Sequence, residues 1–410
     1  MKITKEIKNI IFRRLLITFG ILSFVKFGTL LPVPGLNHMD VKFFIDHNPL
    51  ANSIINNSGQ KKNFVISLLT LNIFPYINAT ILVQLSLGFS SRLSKLQKEG
   101  DLEGKRTINR LTRLLTLIFS LVQSIGLSFY LKRILFTWNF TLGFDIVIWL
   151  TTGAMITVWL SEIITEYGLG NGTSLLIYIN IISNAPIFLK SIGTELQTAP
   201  QSFVQILFIL FFSLYGIVFL QESVRKIPLI SSKQLNQMSF QDSSKNYLPL
   251  KLNQAGVMPI IISSVLLSIP NYFRGLFPFF NSPMPLGLQK FPYSIGYFVL
   301  ILVSSSFYST IILNPKDLAD QLQKRAVAIP RLRPGIQTRY YLKQAIKRIT
   351  FVGALILATI VTIPNFLEST ITGFSGFSTT SLLILSGVIL DVLREVDNIY
   401  YSNVYNNTYQ

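Results

Sequence analysis

The chain has 410 residues, 50% of them hydrophobic and only 13% charged, with a formal charge of +18. A soluble chain carries about a quarter charged residues, and the mean hydropathy of +0.49 points away from an ordinary water-soluble globule. The lack of cysteine excludes disulfides, thiolate metal sites and thiol catalysis, and two histidines in one polar stretch, His38 and His47, are too few for a histidine metal site.

A membrane-crossing helix needs roughly 20 mostly apolar residues. Ten segments approach or meet that length: 15–31, 64–88, 114–131, 142–160, 173–189, 203–220, 255–270, 292–313, 349–366 and 377–393. The first ends in Leu31-Pro32-Val33-Pro34-Gly35 without a small-residue cleavage site, so it reads as a retained span. Its Lys26 is placed to snorkel towards an interface. The second is interrupted by Pro75, and its first half is only weakly apolar. It also concentrates uncharged polar residues: Asn72, Asn78, Thr80 and Gln84. With Gln123 and Asn180 these serve as interhelical glue or as a weakly polar cavity wall, because unpaired polar groups do not face lipid. Their clustering in span two favours the cavity wall.

Between spans four and five lie Glu162, Glu166 and Gly168-Leu169-Gly170-Asn171-Gly172. The glycine run lacks the G-x-G-x-x-G spacing and follows no strand, so it reads as a turn between helices. The loops after spans six and eight, about 222–254 and 314–348, are long and basic. Lys and Arg divide 27 to 8 between the two sets of alternating loops. That bias places both chain ends and the two basic loops on the cytosol-equivalent side. The loop after span four, acidic and without a base, is the exception. The charge is thus mostly orientation, with enough left in the two long loops to dock an RNA-rich or acidic partner.

The spans are nearly free of the ionisable groups that an ion-coupled transporter requires near mid-bilayer, Lys26 in span one being the exception. No phosphate loop, HExxH helix, paired intramembrane aspartates or Ser/His pair is present. These patterns argue against an enzyme and call for no cofactor or metal. An ion-coupled solute transporter stands as the alternative to a passive channel.

The motifs resemble those of the SecY channel subunits of bacteria and plastids. Leu31-Pro32-Val33-Pro34-Gly35 is similar to the turn ending span one, and Phe74-Pro75-Tyr76-Ile77-Asn78-Ala79-Thr80 to the second half of a split span two. Lys98-Glu99-Gly100, Arg110-Leu111-Thr112-Arg113, Trp159-Leu160-Ser161-Glu162 and the glycine turn follow in order. In the second half the matches are Arg225-Lys226-Ile227-Pro228, Leu248 to Gly256, Asn314-Pro315, Arg333-Pro334-Gly335, Gln337-Thr338 and Thr380 to Ile384. The resemblance implies an all-α polytopic membrane protein. Ten transmembrane helices would form two pseudo-symmetric five-helix halves, 1–190 and 200–410, around a central pore.

The resemblance also implies site residues. A pore ring falls on Ile73, Ile77, Thr173, Ile177, Ile261 and Ile384, where a narrow aliphatic constriction passes polypeptide and blocks ions. Thr173 departs from the family's aliphatic preference. A plug occupies about 54–69, more polar here than expected. A lateral gate draws on Thr80, Gln84 and Gln123. Arg225, Lys226 and Arg333 dock a SecA motor or a ribosome, and Arg331 stands where the family usually has glycine. Expected partners are a SecE-like subunit, optionally a SecG-like one, and secretory or membrane-protein substrates. Richness in Ile, Asn, Lys and Phe, with short tails, suits a plastid thylakoid membrane first and a bacterial inner membrane second.

Overall fold

The computed structural model describes residues 2–36, 66–89, 102–132, 135, 138–198, 200–231, 247–254, 256–264, 266, 286–368 and 379–408. The helices are α1 (Lys2–Gly28), α2 (Phe74–Phe89), α3 (Leu102–Leu131), α4 (Phe140–Tyr167), α5 (Gly172–Thr198), α6 (Pro200–Glu222), α7 (Leu286–Ile312), α8 (Pro315–Lys324), α9 (Ile336–Glu368) and α10 (Thr379–Thr408). Every predicted span meets helix: α1 to α7, α9 and α10 carry nine of them, and the seventh falls on helical residues 258–264. Among the described residues, five helices are long and apolar enough, by length and composition, to cross a membrane. Among the described residues, four short strands interrupt the helical pattern: β1 (Val224–Pro228), β2 (Ile230–Ser231), β3 (Tyr247–Lys251) and β4 (Val327–Ala328).

The chain divides into two compact units. The first runs Met1–Thr194 and takes in Val388–Gln410; the second comprises Glu195–Gly373 and Ser378–Gly387. The sequence division at 190–200 has no counterpart for the late segment, because α10 begins in the second unit and ends in the first.

In the first unit the core joins the turn after α1 (Val33, Leu36), the entry to α2 (Ile66, Leu71), the end of α3 (Leu131) and α4 (Ile146, Leu150, Ala154). Span two is helical only from Phe74. Ahead of it, Val33 N–H donates to the Ile66 carbonyl (3.0 Å) and Leu68 N–H to that of Leu31 (3.1 Å). Thr70 then closes a local turn, its hydroxyl donating to the Ser67 carbonyl at 2.7 Å and accepting from Ser67 N–H at 2.7 Å. Asn72 takes a left-handed φ of 46°, which asparagine tolerates better than most residues. Pro75 follows in the first turn of α2, where its missing N–H costs no intrahelical bond.

This buried non-helical stretch leans on one face of α4. The Thr157 hydroxyl shares its proton between the Asn72 carbonyl (3.0 Å) and the Ala154 carbonyl of its own helix (2.7 Å). One turn earlier, Gly153 lies so close to the Leu68 carbonyl oxygen that any Cβ would overlap it. Glycine there is a requirement of close approach.

In the second unit hydroxyl pairs join neighbouring helices. Ser263 meets Ser304 of α7 at 2.8 Å, and Ser309 of α7 meets Thr350 of α9 at 2.7 Å. These buried serine and threonine pairs are interhelical polar contacts at positions outside those singled out from the sequence. Gly153→Ala is expected to cost about 1–3 kcal/mol, as overpacking against backbone does. Denaturant unfolding of the full chain in detergent measures it, and unchanged stability would mean residues 66–73 relax freely.

Candidate functional site

The pore-ring positions divide between the units. Ile73 and Ile77 are buried, and Ile77 N–H donates to the Ile73 carbonyl at 3.1 Å, so the pair stands one turn apart at the start of α2. Thr173 and Ile177 sit one turn apart at the start of α5 and are half-buried. Ile261, in the helical stretch 258–264, and Ile384, in α10, are half-buried in the second unit. The Thr173 hydroxyl is engaged locally. It donates to Asn171 Oδ1 at 2.7 Å, while Thr173 N–H donates to the same oxygen at 3.0 Å. Asn171 thereby caps α5 through two donors.

The gate residues behave differently from one another. Thr80 donates its hydroxyl to the Ile77 carbonyl at 2.8 Å and is satisfied within α2. Gln84 Oε1 is buried with no hydrogen-bond partner among the described residues. Gln123 is half-buried on α3. Of the plug segment, residues 54–65 lie outside the described residues, and Ile66 and Leu69 are buried in the turns that precede α2.

Two acids missed as functional groups organise the first unit. α4 continues to Tyr167, so Glu162 lies in a helix and not in a loop. It accepts two bonds from Arg113 of α3, Nε at 2.8 Å and Nη2 at 2.7 Å. The acidic exception to the charge bias thus finds its base on the neighbouring helix. The second acid is Glu395 of α10. It accepts from Gly170 N–H at 2.5 Å, with Arg14 of α1 at 3.9 Å. Gly170 has a φ of 83°, a conformation natural to glycine. The glycine run is therefore a tight turn whose amide receives a carboxylate from the end of the chain. The isolated Glu162 and the Gly-x-Gly-x-Gly turn were visible signals, but neither names its partner.

The two basic loops form one folded head. β1 pairs antiparallel with β3 from Val224↔Lys251 to Pro228↔Tyr247, and β2 pairs with β4, tying the first loop to the second. Beneath lies a core of Ile227, Leu250, Ala319, Leu322, Ile329, Leu342 and Ile346. Asn314 caps α8, accepting from Lys316 N–H at 3.1 Å, with Pro315 in the first turn. Arg333 is exposed at the entry to α9, its carbonyl receiving the Thr338 hydroxyl at 2.9 Å and its N–H donating to Gln337 Oε1 at 3.2 Å. Gly335 follows at φ 103°, and Arg331 precedes at φ 64°. Arg225 and Lys226, predicted as a pair, part company on β1. The Lys226 ammonium lies 4.9 Å from the Tyr247 ring centre, whereas Arg225 lines a cavity at the foot of the ribbon.

The family model described as SecY matches residues 67–393. A protein translocase subunit SecY of Trieres chinensis is 52% identical, covering 99% of both chains. Its counterpart in Guillardia theta is 40% identical over 96% of this chain and 95% of its own. The chain belongs to the SecY family. Among solved structures, a SecY channel described for its plug domain aligns at a TM-score of 0.69 with 16% identity, covering 97% of this chain and 94% of its own. Canine Sec61 in a ribosome–channel complex aligns at 0.65 with 15% identity and the same coverages. The fold is that of the ten-helix SecY channel, which leaves the solute-transporter alternative without support.

Within this SecY-family chain, Arg331 holds a left-handed φ of 64°, a conformation natural to glycine, at the position where the sequence resemblance implies glycine. The departure keeps the loop's path at a cost of about 1–2 kcal/mol. Arg331→Gly is expected to recover part of that cost, read as a raised unfolding midpoint. A larger effect is expected from Leu342→Ala in the fully buried centre of the head, about 2–5 kcal/mol. Limited proteolysis checks it: both basic loops become cleavable together. Cleavage of one loop alone would contradict a shared core.

Proposed function

We propose that the chain is the channel-forming subunit of a Sec protein translocase, passing unfolded polypeptides across a membrane and releasing apolar segments sideways into it. The observation that carries this reading is identity of 52%, across 99% of both chains, with a protein translocase subunit SecY. Solved neighbours of the same fold are described as a protein-conducting channel and as Sec61 with a ribosome. The chain is no enzyme on this reading; outside energy drives transport.

In the proposal, Ile73, Ile77, Thr173, Ile177, Ile261 and Ile384 form the constriction. Buried isoleucines one turn apart at the start of α2 suit that role, since they offer cargo no charge and water no ligand. Gln84, with a buried oxygen awaiting a donor, is the gate residue whose partner would change on opening; Thr80 and Gln123 flank it. Lys226 and Arg333, exposed on the basic head, meet a ribosome or a motor, with Arg225 beside them. A SecE-like subunit, optionally joined by a SecG-like one, completes the assembly. Relatives from plastids and from the cyanobacterium Synechococcus elongatus support a thylakoid location, with a bacterial inner membrane second.

A photo-crosslinker at Ile77 or Ile261 should capture a stalled secretory chain; capture at neither would remove the channel assignment. Thr173→Ile is expected to lower ion leak in a reconstituted bilayer. The cap on α5 survives, since Asn171 still receives Thr173 N–H. Equal or larger conductance counts against the ring position. Arg333→Glu is expected to abolish translocation while leaving membrane insertion of the chain intact, measured by protease protection of a secretory substrate.

A further inference from the structure

The turn between α4 and α5 is pinned on two sides. Gly172 N–H donates to the Thr165 hydroxyl of α4 at 3.0 Å, and a Cβ on Gly172 would overlap the Ser161 carbonyl oxygen. That end of the turn rides on α4. The other side faces α10, where a Cβ on Gly170 would come within 3.0 Å of Val392. One turn further along α10, Glu395 divides its carboxylate between two donors. Oε2 accepts Gly170 N–H at 2.5 Å, and Oε1 lies 3.9 Å from Arg14 Nη1 of α1. Val392 and Glu395, three apart, share one helix face.

Gly170 leads straight into α5. The Asn171 side chain takes both Thr173 donors, and its carbonyl accepts Leu175 N–H at 3.0 Å. The helix then carries Thr173 and Ile177 one turn apart. The amide held by Glu395 thus stands just ahead of the α5 amino terminus, where the helix dipole favours an anion. A charged acceptor there bonds more strongly than a neutral one, whereas the longer, partly exposed contact with Arg14 adds little. On α10 itself, Ile384 precedes Glu395 by eleven residues. That is close to three full turns, so both lie on one face of the helix. The other acids of α10 are placed differently: Asp391 pairs with Arg394 of its own helix at 3.6 Å, and Asp397 is exposed.

We propose that Glu395 is a positioning residue for the channel constriction. It touches no cargo. It fixes the start of α5 against α10, which sets where Thr173 and Ile177 stand, and it sets the rotation of the helix that carries Ile384. The inference rests on the reading of Thr173, Ile177 and Ile384 as constriction residues.

Resting ion leak of the full-length chain in liposomes tests both levels. Ile177→Ala is expected to raise leak, which reports on the constriction itself. Loss of a charged acceptor shifts a sealed-to-leaky equilibrium about tenfold, so Glu395→Ala raises leak about tenfold. Glu395→Gln keeps an acceptor of the same length without the charge and raises leak less; it carries the test if the alanine variant does not fold. Combining Glu395→Ala with Ile177→Ala adds little to Ile177→Ala alone, because both changes act at one place. Asp397→Ala removes an exposed acid from the same end of α10 and leaves leak unchanged. Wild-type leak in both Glu395 variants, with Ile177→Ala leaking, overturns the positioning role and leaves the constriction standing. Wild-type leak in Ile177→Ala overturns the constriction at α5 and the positioning role with it. Fully additive leak in the double variant overturns the proposal by placing the action of Glu395 elsewhere. Equal leak from Asp397→Ala overturns it in favour of general surface charge.

Discussion

A backbone that leaves helical geometry inside an apolar medium must find partners for its carbonyls and amides. The stretch before α2 meets that constraint, and much of the first unit is arranged around it. Ser67 and Thr70 close a turn on themselves, and the Thr157 hydroxyl reaches the Asn72 carbonyl. Gly153 lets the Leu68 carbonyl approach α4 where any side chain would block it. Several kcal/mol are lost for each polar group left unpaired in such surroundings. The break is thus held by two small residues on one face of a neighbouring helix. Its consequence is positional: helix α2 starts at Phe74, and Ile73 and Ile77 are set at its mouth.

The basic head obeys a different balance. Like charges on two long loops repel, and the apolar residues of both loops share one core. Joined through β2 and β4, they bury Ile227, Leu250, Ala319, Leu322, Leu342 and Ile346 together. The basic residues then stand on a fixed frame instead of on flexible arms. That frame distributes them by strand alternation, so neighbours in sequence need not serve the same surface. Lys226 over Tyr247 and Arg225 in the cavity illustrate this separation.

The spans were legible because run length and the placement of Lys and Arg are local properties, and each predicted segment meets helix. Family motifs named candidate site residues by position, but they were silent on how each side chain is engaged. Thr173 illustrates the gap. Its hydroxyl goes to Asn171 two residues earlier, a capping arrangement that the Asn-Gly-Thr order permits but does not announce. Long-range pairings were less accessible still. Glu162 looked like an exception to the charge bias until α3 brought Arg113 beside it. The two-residue strands β2 and β4 carry no periodicity strong enough to read, yet they unite segments almost a hundred positions apart.

The carboxylate of Glu395 gives the first unit an unusual order of completion. Arg14 and Gly170 are made early, while the acid that joins them lies on the last helix. Chains leave the ribosome amino end first, and compact units generally form as they emerge. Here the early half waits with an open amide and an unneutralised arginine until nearly the whole polypeptide has been synthesised. Truncated products lacking the last helix would retain that unsatisfied seam.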